Sequence, residues 1–343
     1  MARPSPDTSR RAPRPTRLAR GARLLLAAAA LGAVTSAAEP VRLDARDAPL
    51  AEHLAPGAHV GRMRFLGMLT LPSVSFDGAR LSQLSDLAWD EANGVLYAVS
   101  DKGFLFHLRP VLRDGLLVGV ALERALRLRG MDGEPLRDRH ADAEGLALVR
   151  AGGETELLVS FERVPRIVRF RPDGRALGPL PLPARLEDPE AYAHANRMLE
   201  SLCHDPDFGV LTVPEKPLAG EETGYTRLYG LAGMSWRYPV ADDNRIVGLA
   251  CPGDGEVLVL EGNFGSRFWR SHATLKRVRL AGAPPDSRLE PETLFALESS
   301  RGYQIDNFEG IAHHRGRRFF LVSDDNDFFL QRTLLLYVEL LEQ

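Results

Sequence analysis

The chain has 343 residues, of which 43 are basic and 46 acidic, and 44% of its residues are hydrophobic. These figures are typical of one large or two modest globular domains, and they exclude a disordered or collagen-like chain. The two cysteines exclude a disulfide scaffold, and the net charge of -3 argues against a protein that binds nucleic acid through its bulk charge.

Residues 1–37 have the layout of a secretory signal peptide: an arginine-rich start, an apolar run over 24–34 and small residues at 35–38. The run is about half the ~20 residues that a membrane-spanning helix needs. We therefore expect cleavage and export to the periplasm or the medium, with an uncleaved anchor as the alternative. Residues 1–37 hold seven arginines and one aspartate, so the remaining chain has 36 basic and 45 acidic residues, a net charge of -9.

After a linker expected over 38–59, residues 60–343 are predicted to form a single domain that contains an internal repeat. The repeated pattern is an acidic or small residue, a small residue, Leu or Ile, and then Ala or Cys. Successive copies begin 59, 56, 47 and 62 residues apart. The copies are Ser85-Asp86-Leu87-Ala88, Glu144-Gly145-Leu146-Ala147, Glu200-Ser201-Leu202-Cys203, Val247-Gly248-Leu249-Ala250 and Glu309-Gly310-Ile311-Ala312.

Each repeat contains about four short strands, which in the first repeat are predicted over 84–89, 95–100, 103–109 and 116–128. Four-stranded units at this spacing are typical of a β-propeller. We predict an all-β propeller of five blades; a sixth, degenerate blade and a β-sandwich are the alternatives. The last repeat has only three strands, so pairing of its final strand, 333–340, with an isolated strand at 62–71 would close the ring and remove an open sheet edge.

Acidic residues recur at two positions that a propeller brings together at one end of its central channel. Repeated carboxylates on one axis repel each other and need a counter-charge, and Ca²⁺ takes six to eight oxygen ligands of this type. We therefore predict a Ca²⁺ site, with Mg²⁺ as the alternative, because no Cys/His pattern indicates zinc. The predicted ligands are Glu144, Glu200, Glu309, Asp324, Asp101 and Glu261, and the first three are also the predicted catalytic residues. Glu162 and Glu215 occupy the same repeat position as Asp101 and Glu261.

A basic residue directly follows the second acid in three repeats: Lys102, Arg163 and Lys216. Cations beside a metal site suit a small anionic ester that carries a phosphate or a carboxylate, so these three are the predicted substrate-binding residues. The alternative is that they form ion pairs between blades, which contribute little when exposed. No G-x-S-x-G motif is present, which argues against an ordinary serine esterase.

Several of these segments resemble the motifs of the bacterial phytase-like family, also described as "esterase-like activity of phytase". The most specific is the carboxy-terminal series 306–312, 321–326 and 331–336, beginning with Asp306-Asn307-Phe308-Glu309. Segments 142–147, 160–163 and 84–90 resemble its earlier motifs, so the similarity spans roughly residues 60–340. The resemblance implies an exported β-propeller with hydrolytic activity on phosphoesters or other esters. This chain departs from its own repeat pattern at Ser85 and Val247, where the acid is missing.

Three functions fit these features. The first is a monomeric, metal-dependent hydrolase of esters, above all phosphomonoesters. The second is a non-catalytic periplasmic binding or scaffold propeller, and the third is a calcium-dependent propeller lactonase. The two cysteines, Cys203 and Cys251, lie one repeat position out of register, so we expect them on opposite strand faces. Export to an oxidising compartment leaves a disulfide between them as the alternative.

Overall fold

The structure is a computed structural model that describes residues 40–194, 197–241, 244–264 and 271–342. The predicted signal peptide over 1–37 lies outside the described residues. Within them, the chain folds mainly into antiparallel β-sheets, five of which have four or more strands. No helix in these ranges has the length and the apolar character to cross a membrane.

Six strands precede the first repeat: β1 (Val41–Arg42), β2 (Arg46–Asp47), β3 (His59–Val60), β4 (Met63–Thr70), β5 (Ser75–Phe76) and β6 (Ala79–Arg80). Blade one comprises β7 (Leu84–Asp90), β8 (Val95–Ser100), β9 (Phe104–Arg113) and β10 (Leu116–Arg127). Blade two comprises β11 (Ala143–Ala151), β12 (Glu154–Phe161), β13 (Arg166–Phe170) and β14 (Ala176–Leu180). In both of these blades the strand order follows the chain, from the inside outward.

Blade three comprises β15 (Leu199–Asp205), β16 (Gly209–Pro214), β17 (Tyr225–Gly230) and β18 (Ser235–Pro239). Blade four comprises β19 (Arg245–Gly253), β20 (Glu256–Phe264), β21 (Ser271–Arg279) and β22 (Glu292–Glu298). Blade five comprises β23 (Asn307–Arg315), β24 (Arg318–Asp324) and β25 (Leu334–Leu340), together with β4. The described helices are short: α1 (Ala184–Glu187) and 3₁₀ turns at Asp138–His140, Pro189–Ala191 and Ser299–Arg301.

The predicted closure of the ring is confirmed, because β4 pairs antiparallel with β25 in a register that sets Met68 opposite Leu336. The inner strands β7, β11, β15, β19 and β23 contact one another in turn, and β23 contacts β7. The segment before β4 differs from the expected linker: β1 pairs with β10, and both β2 and β3 pair with β4. Leu50 in this segment is fully buried, so the segment is part of the folded domain.

The core is divided into five hydrophobic clusters, one between each pair of neighbouring blades. Each blade is therefore packed against a neighbour on both faces. This explains why a central strand of a blade, such as β8, is buried at every position. The cluster between blades five and one includes Phe320 of blade five and Leu87 of blade one. Apolar packing thus closes the ring together with the β4–β25 strand pair.

The first residue of every repeat motif lies in a β-bulge of an inner strand. The pairing of β11 with β12, for example, shifts register between Ala143 and Leu146, and Glu144 lies within that shift. The same shift encloses Ser85, Glu200, Val247 and Glu309 in the other blades. A bulge leaves its extra residue outside the ladder and changes the direction of its side chain. The repeat therefore encodes five equivalent positions at one end of the axis.

The second motif position is small because the inner strands touch there. A Cβ on Gly310 would lie 2.7 Å from Cα of Asp86, and one on Gly145 would lie 2.8 Å from Cα of Ser201. Asp86 and Ser201 themselves are buried and bond across to neighbouring blades, as when the Leu249 amide donates to Ser201 Oγ over 2.7 Å. The small residues of the pattern are thus a packing requirement of a narrow axis.

Cys203 on β15 and Cys251 on β19 form a disulfide, with their Cα atoms 5.6 Å apart. The expectation that the two thiols lie on opposite faces is therefore wrong. It assumed the alternation of side chains within one sheet. The two cysteines belong to different sheets, whose inner strands pack directly against each other at the axis, so strand alternation does not decide whether their side chains meet.

Candidate functional site

Carboxylates from blades two and three meet at the end of the axis where the inner strands begin. Side-chain oxygens of Asp142, Glu144 and Glu162 lie within 4.8 Å of one another, and so do those of Glu162, Glu200 and Glu215. Glu162 belongs to both groups. We call these five residues the acidic cluster, and the end of the axis that holds them the acidic mouth.

Antiparallel pairing explains how residues far apart in sequence assemble here. Glu144 and Glu200 project from the bulges of β11 and β15, near the starts of those strands. Glu162 and Glu215 directly follow β12 and β16, whose ends lie beside those starts. The sequence repeat thus brings two pairs of glutamates to one place.

The acidic cluster carries more negative charge than its surroundings neutralise. Burial raises the pKa of Glu162 to about 8, and the nearby charges of Asp142 and Glu215 add to the effect. Burial likewise raises the pKa of Glu144 and of Glu200, with neighbouring glutamates acting in the same direction. Such groups must take up protons or a cation when they are brought together.

The chemistry of these donors fits a hard divalent cation. Glu215 is only 3% exposed, and its Oε2 atom is buried without a hydrogen bond. The nearest ion-pair partner of that atom, Arg197 Nε, is 3.8 Å away. The cluster offers carboxylate oxygens alone, which is the ligand set that Ca²⁺ and Mg²⁺ prefer over softer metals.

Blade four contributes a cation to the acidic mouth where the other blades contribute acids. Its bulge residue, Val247, is buried in the apolar core between blades four and five. Two residues earlier, Arg245 Nη1 donates to Glu215 Oε1 over 2.7 Å. The charge of Arg245 also lowers the pKa of Glu200 and Glu309, opposing the effect of their burial. In the repeat whose first acid is replaced by Val247, the protein thus supplies the positive charge of Arg245 to the acidic mouth.

Glu309, Asp101 and Asp324 form the blade-five and blade-one side of the same mouth. Burial raises the pKa of Glu309 to about 7, although Arg245 and a 2.6 Å hydrogen bond from Asn307 Nδ2 oppose this. Burial also raises the pKa of Asp324, and the charges of Glu309 and Asp101 act in the same direction. These three predicted ligands are therefore close enough to interact electrostatically.

Glu261 occupies the same repeat position as Glu162 and Glu215 but has its own partners. Its Oε1 accepts a 2.6 Å hydrogen bond from Tyr238 and lies 2.8 Å from Lys276 Nζ, and its Oε2 accepts a hydrogen bond from Asn244. Both oxygens of this fully buried carboxylate are thus occupied. The role of Glu261 as a metal ligand stays a prediction from the sequence, and in the structure its two oxygens already contact protein donors.

The three predicted substrate-binding cations lie in two different places. Lys102 pairs with Asp101 over 3.1 Å and Arg163 with Asp142 over 2.7 Å, and both line one cavity between blades one and two. Lys216 Nζ donates instead to the backbone oxygen of Asn244 over 2.6 Å. Two of the three therefore lie beside the acidic mouth on the same side.

The family model "Phytase-like: Esterase-like activity of phytase" matches residues 79–327, which is most of the chain. The chain belongs to the Phytase-like family. No curated protein matches it. Among solved structures, the Neurospora crassa Pan2 WD40 domain is 12% identical with a TM-score of 0.43, covering 84% of this chain and 100% of that one. A gluconolactonase from Xanthomonas campestris is 18% identical with a TM-score of 0.40, covering 89% and 99%.

In this Phytase-like propeller, sequence reasoning left Asp142, Glu162 and Glu215 out of the predicted ligand set. Glu162 and Glu215 carried a signal, since they share the repeat position of the chosen acids. Asp142 lies two residues before Glu144, outside the repeated motif, and only the turn into β11 brings it to the cluster. No feature of the repeat pattern indicated Arg245, because it lies two residues before the motif that begins at Val247.

Proposed function

We propose that this Phytase-like protein is an exported, metal-dependent ester hydrolase that acts on phosphomonoesters at the acidic mouth. The observation that carries the proposal is the acidic cluster, in which buried carboxylates converge with too little counter-charge. A cation bound there would remove that repulsion, and an anionic ester could then approach a mouth that would otherwise repel it.

Ca²⁺ is the proposed ion. It would be held by Asp142, Glu144 and Glu162, by Glu162, Glu200 and Glu215, or at both of these groups. When bound, such an ion polarises a phosphoryl oxygen and lowers the pKa of a coordinated water. Glu309, with a pKa of about 7, can accept or donate a proton near neutral pH, and Asn307 fixes one of its oxygens. Arg245 donates a hydrogen bond to Glu215 Oε1 and so fixes the position of that carboxylate.

The cellular setting belongs to the same proposal. Export follows from the arginine-rich, apolar amino terminus of the sequence, and the Cys203–Cys251 disulfide is compatible with an oxidising compartment. After removal of residues 1–37 the net charge is -9, and a protein of this charge repels the phosphate backbone of nucleic acid. We propose that the protein acts as a monomer on a small anionic ester.

The test measures hydrolysis of p-nitrophenyl phosphate, phytate and p-nitrophenyl acetate by the purified protein, with and without a chelator and added Ca²⁺. We expect chelator-sensitive turnover that E162Q and E200Q each reduce by roughly 100-fold or more, because each variant removes a metal oxygen and a charge. E154Q, at an exposed glutamate on β12, is the matched control and should retain full activity.

A thermal shift on adding Ca²⁺ measures binding separately from turnover, since a ligand that binds only the folded state raises its stability. A calcium-dependent shift without hydrolysis of any ester would favour the non-catalytic binding propeller. Turnover confined to a lactone panel would favour the lactonase. Chelator-insensitive hydrolysis that persists in E162Q and E200Q would contradict the proposed site.

A further inference from the structure

A cavity of roughly 600 Å³ lies between blades one and two and shares Asp142 with the acidic cluster. Its lining includes four basic side chains from different parts of the chain. Lys102 comes from the β8–β9 turn, Arg127 from the end of β10, Arg137 from the segment before β11, and Arg163 from the turn after β12. We call this space the blade-one/two cavity.

Two of these basic residues already have carboxylate partners, and two do not. Lys102 is paired with Asp101, and Arg163 with Asp142. Within the described ranges, neither Arg127 nor Arg137 forms an ion pair with a carboxylate. Asp138 also lines the cavity. The cavity therefore presents two guanidinium groups that stand outside the ion pairs of the described residues, and its lining also includes the carboxylates of Asp101, Asp138 and Asp142.

Arg127 is held in place on one face. Its Cζ atom lies 4.0 Å from the centroid of the Phe104 ring, and its Nη1 donates to the backbone oxygen of Lys102 over 3.2 Å. Burial lowers the pKa of Arg127, and the positive charge of Arg137 lowers it further, so the two guanidinium groups are close enough to repel. Stacking on a ring leaves the edge of a guanidinium available for further hydrogen bonds.

The wall that carries Arg137 is fixed by backbone hydrogen bonds. The Leu128 amide donates to the oxygen of Gly103 over 2.9 Å, and the Leu136 amide donates to the oxygen of Leu128 over 2.8 Å. The Leu128 side chain is fully buried between the two blades. The backbone that leads to Arg137 is thus fixed, while the Arg137 side chain is exposed and accessible to a ligand in the cavity.

We propose that Arg127 and Arg137 bind a phosphate group of the substrate in the blade-one/two cavity, next to the acidic mouth. This deepens the proposed function and rests on it for the class of substrate. Two guanidinium groups donate paired hydrogen bonds to phosphate oxygens and supply the charge that a phosphate dianion needs. The cavity would hold this group while the ester bond to be cleaved lies at the acidic cluster.

The test is calorimetric titration of the full protein with inorganic phosphate, in the presence of a chelator so that no metal contributes. We expect R137A to weaken phosphate binding about tenfold, because charge-assisted hydrogen bonds are lost. R139A is the matched control: Arg139 is exposed on the same segment, carries the same charge and does not line the cavity. It should bind phosphate within about twofold of the unaltered protein. Equal binding by R137A, or equal losses in R137A and R139A, would overturn the proposal.

Two further measurements separate this proposal from the proposed function. E162Q should retain Arg137-dependent phosphate binding while it loses hydrolysis, since Glu162 does not line the cavity. In the active protein, R137A should raise KM for a substrate with a second phosphate and leave kcat nearly unchanged.

Acetate at equal ionic strength tests a carboxylate ligand, and tighter binding of acetate than of phosphate would overturn the choice of phosphate. Arg137-dependent binding without any hydrolysis would retain the cavity and reject the hydrolase.

Discussion

Asp86 accepts a hydrogen bond from the backbone amide of Ile311, which lies 225 residues further along the chain, over 3.0 Å. The same carboxyl group accepts the amides of Leu87 and Leu146 over 2.8 Å each. One side chain of blade one therefore satisfies backbone donors on the inner strands of blades five, one and two. Burial raises the pKa of Asp86 although the three amides oppose it. This bond joins the first and last blades at the axis, in addition to the β4–β25 pairing at the rim.

Replacement of Asp86 should destabilise the ring more than most polar substitutions. D86A leaves three buried amides without an acceptor, and we expect it to lower the free energy of unfolding by about 3 kcal/mol or more. D86N keeps one acceptor oxygen and should lose less. Denaturant unfolding measures both variants against D207A, at an exposed aspartate after β15. A D86A protein as stable as D207A would show that these hydrogen bonds contribute nothing.

The close contact at the second motif position can be tested with single methyl groups. In G310A the new Cβ would meet Asp86 Cα at 2.7 Å, so we expect a loss of about 1–3 kcal/mol in stability from overpacking. The control is G119A on β10, whose Cβ would have its nearest neighbour, in Val111, at 3.6 Å. That variant should be neutral or slightly more stable. Similar melting temperatures for the two variants would contradict a tightly packed axis.

Two buried histidines that lie outside the acidic mouth should make the stability of the fold depend on pH. Burial lowers the pKa of His107 and of His314 to about 4. In the unfolded chain both bind protons below about 6.5. Unfolding between these pH values therefore takes up protons, and stability should fall as the pH falls from 6.5 to 4. The measurement is chemical unfolding across this pH range. The double variant H107Q/H314Q should show a shallower pH dependence of the free energy of unfolding than the unaltered protein. The control is H53Q, at the exposed His53.

The disulfide joins blades three and four across 48 residues of sequence. Its loss releases a long loop in the unfolded chain, so C203A/C251A should be less stable by roughly 2–4 kcal/mol. A reducing agent should lower the melting temperature of the unaltered protein and leave that of the double variant unchanged. Free-thiol labelling of the protein unfolded without reductant should detect no cysteine, and two reactive thiols would show that the bond is absent.

The sequence was sufficient to predict the architecture because a propeller repeats one strand pattern. The predicted strand at 95–100 is β8 as observed, and the predicted pairing of the two terminal segments holds in the structure. Outer strands were less exact, since β9 extends to Arg113 where the prediction ended at 109. Residues 109–113 of β9 are partly or fully exposed, so the apolar pattern of this strand ends before its hydrogen bonding does.

The composition of the acidic mouth was predicted less completely, for a physical reason. Repeat spacing shows which strand ends meet, but not whether a side chain turns to the axis or between two sheets. Glu162 and Glu261 share one repeat position, yet the first joins the acidic cluster and the second bonds to Tyr238. The difference comes from Tyr238 in blade three and from Lys276 on the next strand of blade four, and neither residue belongs to the repeated motif.

The close contacts at the second motif position separate the two ends of the axis along the inner strands. The residues before this position form the acidic mouth, and the residues after it, from Leu87 and Leu146 onward, line a recess of roughly 120 Å³ at the other end. The two ends therefore present different surfaces that are built from the same five strands, one with carboxylates and one with backbone and mainly apolar side chains. A substitution on an inner strand can consequently change the ligand chemistry of one end while the surface of the other end stays as it is.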